Sequence, residues 1–316
     1  MKFDQSNEQT VGIVSAASAY ILWGILPIYW KFVYPVSSSE ILAHRVVWSF
    51  IFLACVLFVA GILKPFLSET REIVSSPKQL LALVMSSIFI SINWLTYIWA
   101  VNNNHIIETS LGYYINPLVN VLLGIAVLKE KLSFWQMVSF FLAMIGVVNM
   151  TVYYGSFPWI ALTLAVSFGF YGLLKKTINL GAIAGITLET LIISPFALIY
   201  IGYIHKSGYG SFGFDSPVLS GLLIGGGIVT AVPLILFSGG AKRLPLSIIG
   251  FLQYIAPTIA LILGVFLYHE PFTAAHRVSF VFIWLALTVF SLSRTGAFMQ
   301  LESMLFKKTA FKDKGM

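Results

Sequence analysis

The chain has 316 residues, of which 58% are hydrophobic and only 10% charged, and its mean hydropathy is +0.90. A soluble globular protein carries about 25% charged residues, so a water-soluble globule is excluded, and a chain this apolar is not disordered either. The net charge of +7 then reads as positively charged loops of a polytopic membrane protein rather than as a nucleic-acid footprint, and the single cysteine, Cys55, permits no internal disulfide.

A bilayer core needs about 20 mostly apolar helical residues. Ten such stretches run roughly over 11–30, 40–62, 79–101, 106–128, 133–152, 157–174, 181–203, 218–238, 244–267 and 272–292. All connections are short except those near 63–78 and 204–217, which makes neighbouring spans antiparallel. The polar leader MKFDQSNEQT ahead of span 1 could pass for part of a signal peptide. The stretch behind it is too long, contains Trp23, Pro27, Tyr29 and Trp30, and is followed by nine more, so it reads as retained.

Ten spans put both termini on one side. With the termini in the cytoplasm, the inner set of basic residues is Lys2, Lys64, Arg71, Lys78, Lys129, Lys131, Lys175, Lys176, Lys242, Arg243, Arg294, Lys307, Lys308, Lys312 and Lys314, which is fifteen, against Lys31 and Lys206 outside. That asymmetry sets the orientation and supports the span count, because one missed helix would scramble the alternation.

The chain also repeats itself. Tyr114, Pro117, Gly124 and Glu130 recur 140 residues later as Tyr254, Pro257, Gly264 and Glu270. Asn93 and Pro233 share that offset, and WGILPIYWK (23–31) echoes FGFYGLLKK (168–176) at an offset near 145. Five spans are thus followed by five similar ones, and because five is odd the second copy is upside down, an arrangement recurrent in secondary transporters.

No Asp lies in a span, so the charges that do are informative, each costing at least ~2.5 kcal/mol at a helix centre on insertion scales. Glu40, His44 and Arg45 open span 2, with Glu40 and His44 on one face; Glu189 lies in span 7, the partner of span 2 in the repeat. They are candidates for coupling or charge recognition at the two mouths of a central cavity; the alternative is snorkelling or a structural ion pair. Lys175 and Lys176 end span 6 and set topology, and Lys31 matches Lys176 in the repeat. Proline in the middle of spans 4 and 9 (Pro117, Pro257) frees a backbone carbonyl, which is tolerated where it lines a polar cavity or meets a neighbour. Around the prolines lie Tyr113, Tyr114, Asn116, Asn120, Gln253 and Tyr254, with Asn93, Trp94 and Tyr97 in span 3, Trp23 in span 1 and Tyr171 in span 6. The expected solute site is Trp23, Asn93, Trp94, Tyr97, Tyr114, Asn116, Gln253 and Tyr254, suited to a small amphipathic or aromatic solute; the alternative is helix packing. Trp30, Trp99 and Trp159 read as interfacial belt residues. Gly221, Gly225, Gly226 and Gly227 read as close-packing positions of span 8, and Glu130 and Glu270 as helix-end anchors. No P-loop, HExxH or GxSxG occurs, and the five histidines lack ligand spacing, so neither an enzyme nor a cofactor or metal is expected.

The segments EILAHRVVWSF (40–50), NWLTYIWAVN (93–102), ETSLGYYINPLVNVLLGIAVLKEKLS (108–133) and GFLQYIAPTIALILGVFLYHEPF (250–272) resemble the RarD branch of the EamA-type family, in the drug/metabolite transporter superfamily. The resemblance covers roughly residues 11–295. It implies an all-α integral membrane protein of ten transmembrane helices in two inverted five-helix repeats, in a bacterial inner membrane, exporting or exchanging small metabolites. The resulting division is 1–152 and 153–295 for the two repeats and 296–316 for a basic cytoplasmic tail. The expected function is non-ATP secondary transport by alternating access, with an integral membrane enzyme or a channel-like permease as alternatives. The partners are a small-molecule solute and the lipid bilayer, with no nucleic acid.

Overall fold

A computed structural model describes residues 2–128, 133–154, 157–241, 243–244, 252–293, 295–296 and 298–304. The chain is helical, with no strand among the described residues. The helices are α1 (Lys2–Phe32), α2 (Ser38–Val59), α3 (Leu63–Ser75), α4 (Pro77–Asn102), α5 (Ile106–Leu128), α6 (Phe134–Tyr154), α7 (Trp159–Thr177), α8 (Ala182–Lys206), α9 (Pro217–Ala241), α10 (Ile255–Ile262) and α11 (Ala274–Leu292). A π-turn over Leu263–Leu267 prolongs α10. Among the described residues seven helices (α1, α2, α4, α6, α8, α9 and α11) are long and apolar enough to cross a membrane by length and composition. α7 and α10 with its π-turn are apolar but shorter.

Local chemistry sets the helix ends. Ser37 accepts from the Glu40 N–H at the start of α2, Pro77 occupies the first turn of α4, and Thr273 and His276 form a reciprocal capping box on α11. Two segments depart from the sequence reading. The polar leader is not a separate tail: α1 begins at Lys2, and Glu8 accepts from Arg243 Nε at 2.8 Å. The connection near 63–78 contains α3, an amphipathic helix. Its Phe66 and Ile73 face Leu83, Ile178 and Leu188, while Lys64, Arg71 and Glu72 face outward. A short helix with a polar face has no continuous apolar run and so escapes a search for spans.

α1 packs on α9 and α10, α2 on α8, α9 and α4, α4 on α7 and α8, α5 on α7 and α10, and α6 on α11. The outward faces are as apolar as the interior: Phe58, Phe141, Phe196, Ile199 and Val281 are exposed. So wide an apolar surface belongs to a multi-pass membrane protein whose solvent is lipid. Glycine governs the tightest seam. A Cβ on Gly227 of α9 would lie 2.3 Å from the Trp48 carbonyl carbon and 2.6 Å from the Ser49 nitrogen, so the α9 and α2 backbones approach closely only because residue 227 lacks a side chain. A Cβ on Gly225 would lie 2.7 Å from the Tyr29 hydroxyl of α1, one on Gly226 would make only ordinary contacts with Trp30 and Arg45, and Gly221 meets nothing within 4 Å, so its expected packing role is absent.

Candidate functional site

Arg45 lies where α1, α2 and α4 meet, only 4% exposed. Its guanidinium carbon is 4.3 Å from the Trp94 ring centroid and 5.1 Å from that of Trp30. These cation–π contacts offset part of the cost of burying the charge, yet Nε and Nη1 have no hydrogen-bond partner. The Tyr97 and Tyr113 rings pack 5.9 Å apart, and both side chains are close enough to interact electrostatically with Arg45. α9 passes over this group at Gly226, where a Cβ would lie 3.7 Å from the Trp30 ring and 4.0 Å from the Arg45 Cα, ordinary contact distances. Trp30 was expected in an interfacial belt; at 1% exposure it is instead a wall of the Arg45 site. Trp99 and Trp159, by contrast, are exposed and pack on each other with ring centroids 5.2 Å apart.

The same turn of α2 organises the connection between α8 and α9. Glu40, buried, accepts from the Ser211 N–H at 2.6 Å and from its hydroxyl at 3.1 Å. That places Phe212 in a stack on His44, ring centroids 4.8 Å apart, and 6.2 Å from Trp48. His44 Nε2 and the indole nitrogens of Trp30 and Trp48 are buried without partners. Nearby, Lys31 donates to Asn104 at 2.6 Å and lies over Tyr268, and the Glu270 carboxylate accepts from the Ile106 and Ile107 N–H groups at 2.7 and 2.8 Å. Glu270 thus caps α5, and the anion stands where the helix dipole favours it.

Glu189 occupies the other end of the bundle, 2% exposed on α8. It accepts from Lys175 Nζ at 2.9 Å, from Ser86 at 2.8 Å and from the Tyr171 hydroxyl at 3.2 Å, joining α4, α7 and α8. A seam between α2, α4 and α8, not wide enough for a water molecule, is lined by Val46, Trp94, Glu189 and Thr190. It runs from the Trp94 wall of the Arg45 site to Glu189.

Asn93 lies between these centres. Its amide donates to the Leu164 carbonyl at 3.0 Å and to Ser167 at 3.1 Å and accepts from Tyr113 at 3.2 Å, so it ties α4 to α7 and α5. The remaining expected site residues gather elsewhere. Asn116 donates to the Ala165 carbonyl at 3.1 Å. Tyr114 stacks on its repeat counterpart Tyr254 with centroids 6.0 Å apart, shares a hydrogen bond with Thr258, and packs on Phe280 and Trp284. Gln253 is half-buried in the turn before α10. Trp23 packs on Tyr20 and Phe237, along the α1–α9 seam. Trp94, Tyr97 and Arg45 therefore share one site with His44 and Glu40 beside it, whereas Tyr114, Asn116, Tyr254 and Trp23 do not reach it. Pro257 falls in the first turn of α10, and its carbonyl accepts from Ser110 at 2.7 Å. The Pro117, Asn120, Gly124 and Lys176 side chains, and Glu130, lie outside what is described.

Sequence reasoning missed Phe212 and Ser211, which lie in a loop without periodicity and carry no signal. It also left the Lys175–Glu189 pair unconnected. The offset of 145 that places Lys31 opposite Lys176 also places Trp30 opposite Lys175 and His44 opposite Glu189, and this was the available clue. Among the described residues no group of three His, Cys, Asp or Glu side chains could hold a metal ion.

The EamA-like transporter family matches residues 10–152. The uncharacterized transporter YojE of Bacillus subtilis is 47% identical over 293 residues, covering 92% of this chain and 96% of its own length. Protein RarD of Escherichia coli is 44% identical over 279 residues, 88% of this chain and 93% of its own. An uncharacterized transporter of Vibrio cholerae is 44% identical over 280 residues, 89% and 91%. One crystal structure at 18% identity shares the fold with a TM-score of 0.55, covering 91% of this chain and 97% of its own.

Proposed function

Because the chain belongs to the EamA-like transporter family, in its RarD branch within the drug/metabolite transporter superfamily, we propose that it is a secondary transporter that exports or exchanges small amphipathic solutes by alternating access. In this reading ten helices cross the bacterial inner membrane, both termini are cytoplasmic, and residues 1–152 and 153–295 are inverted repeats ahead of a tail over 296–316. The packing supports the repeat. Exchanging the halves turns the α1–α9 contact into α7–α4, α2–α9 into α8–α4, and α1–α10 into α7–α5. The same exchange leaves α2–α8, α5–α10 and α6–α11 in place, and every one of these contacts occurs.

The observation that carries the functional reading is a pair of buried ionisable groups, Arg45 and Glu189, on α2 and α8. These helices pack against each other and are partners in the repeat. Charge inside an apolar bundle is costly and marks solute or ion paths. We assign Arg45, with Trp94 and Tyr97, to solute or charge recognition, and Glu189 to coupling. Glu40 and His44 stand at the mouth formed by the 207–216 loop. Asn93 and Asn116 hold helices together beside the path, and Trp23, Tyr114, Gln253 and Tyr254 belong to the seams that slide when the halves rock.

The test has two stages. Metabolites released by cells with and without the gene are compared, and the solute so found is loaded into proteoliposomes carrying a pH gradient. Glu189→Gln removes the charge and keeps shape. It should lose gradient-driven accumulation yet keep solute exchange, while Arg45→Ala lowers both. Full gradient-driven transport by Glu189→Gln removes the coupling role, and flux that rises without saturation in the wild type would favour a channel.

A further inference from the structure

Arg45 is a buried cation without a counterion. No described carboxylate lies within 4 Å of it, and the described buried carboxylates are committed elsewhere, Glu108 to His105. Glu40 holds the Ser211 N–H and hydroxyl, Glu189 holds Lys175, Ser86 and Tyr171, and Glu270 caps α5. Buried charges are otherwise paired, since burying one alone costs several kcal/mol. The Trp30 and Trp94 rings soften that cost, but an aromatic face does not satisfy the N–H donors of a guanidinium.

The surroundings have the same bias. Trp30 Nε1, Trp48 Nε1, His44 Nε2, Arg45 Nε and Arg45 Nη1 are all buried and all unmatched. Four of these five atoms can only donate, and the histidine nitrogen donates in one of its tautomers. The unmatched donors of Arg45, with that of Trp30 whose ring it touches, ask for acceptor oxygens carrying one negative charge. A dianion would bring a second charge into a low-dielectric site that offers a single cation. The aromatic neighbours are Trp30 and Trp94 against the guanidinium and Tyr97 and Tyr113 close by, which suit an apolar or aromatic body. Among the described buried residues no carboxylate is left uncommitted to receive an ammonium group, which disfavours a zwitterion.

We propose that Arg45, boxed by Trp30 and Trp94, binds the carboxylate of a monoanionic solute with an apolar or aromatic body. The guanidinium fork takes both carboxylate oxygens in a bidentate pair, a geometry that lysine cannot reproduce. The helices are closed around the fork, so entry requires α2, α4 and α8 to part along the seam that touches Trp94. This assignment rests on the transporter reading for its purpose, but not for its test.

The test is equilibrium binding to the purified full chain in detergent, with 3-phenylpropionate, octanoate, 3-phenylpropionamide, L-phenylalanine and phenyl phosphate as probes. At least one of the two monocarboxylates should bind saturably at millimolar concentration or below. The amide, the amino acid and the phosphate should bind about tenfold or more weakly than that acid. Arg45→Lys should weaken the acid about tenfold or more, and Arg45→Gln should abolish saturable binding while melting no lower than the wild type, because it removes an unpaired buried charge. The proposal is overturned if the amide, amino acid or phosphate binds as well as the acid, if neither acid binds, or if Arg45→Gln binds like the wild type. Should Arg45→Gln fail to fold, the acid-against-amide comparison in the wild type decides alone. Anion binding without flux in proteoliposomes would sink the transporter reading and keep this one; gradient-driven transport of another solute, without anion binding, would do the reverse.

Discussion

Glu270 joins the two halves of the chain, and replacing it by glutamine measures what that junction is worth. Both oxygens are used, accepting from the Ile106 and Ile107 N–H groups at 2.7 and 2.8 Å, and Glu270, Ile106 and Ile107 are all buried. Glutamine offers one carbonyl oxygen and turns its NH2 toward the other N–H. One buried backbone donor is then unmatched, at about 1–3 kcal/mol. The anion at the α5 N-terminus is also lost, at about 0.3–1 kcal/mol and up to ~2 in buried geometry. Glu270→Gln should therefore destabilise the fold by roughly 2–4 kcal/mol, and Glu270→Asp, which keeps the charge on a shorter arm, should recover part of that. SDS titration in mixed micelles, followed by tryptophan fluorescence, measures the difference. In a Cys55→Ser background, Asn104→Cys, beside the capped helix end, should react faster with a maleimide once residue 270 is glutamine. A loss below about 0.5 kcal/mol, the range of an ordinary surface substitution, together with an unchanged labelling rate, would refute the cap as a fastening between halves.

Two further outcomes follow from the packing and the charge pattern. Gly227→Ala drives a methyl to within 2.3 Å of backbone and should cost about 1–3 kcal/mol or more in the same SDS titration. Gly221→Ala, which meets nothing within 4 Å, should stay within about 0.5 kcal/mol; equal effects would mean that the α2–α9 approach is not what Gly227 serves. In the Cys55→Ser background, Gly210→Cys should label only from outside intact cells and Ser68→Cys, on α3, only after the membrane is opened. Labelling of position 210 only from inside would overturn the ten-span topology.

The helices were legible because lipid-facing surfaces remove the polar alternation that blurs helix ends in soluble proteins. Each apolar stretch contains a described helix, as at Ile106–Leu128 for the stretch 106–128. Charge told where to look, since Arg45 and Glu189 stand out in spans that contain no aspartate. Their surroundings were not legible. Tyr113 and Tyr114 are adjacent in sequence and about 100° apart on a helix, and only the packing of α5 shows that Tyr113 faces Arg45 and Asn93 while Tyr114 faces α10 and α11. Asn93 and Asn116, polar groups in spans, read equally well as solute ligands or as interhelical hydrogen bonds, and composition cannot separate the two. Trp30 near the end of a span has the sequence pattern of a belt residue, and the α2 and α9 residues that enclose it are distant in sequence.

Among the described connections, those between α2 and α4 and between α8 and α9 are unlike each other. Between α2 and α4 the first half inserts the 13-residue helix α3, whereas between α8 and α9 the second half inserts a loop that reaches back to Glu40 and His44. In a transporter built from two interchangeable halves, identical connections would make the outward-facing and inward-facing forms degenerate, and the empty protein would divide its time equally between them. Unlike connections lift that degeneracy. Each 1.4 kcal/mol of difference between the α3 contacts and the Glu40–Ser211 contacts changes the ratio of the two orientations about tenfold. The resting direction of such a molecule is then written in its least repeated segments, and trimming α3 would shift its balance between export and uptake while leaving Arg45 and its aromatic neighbours in place.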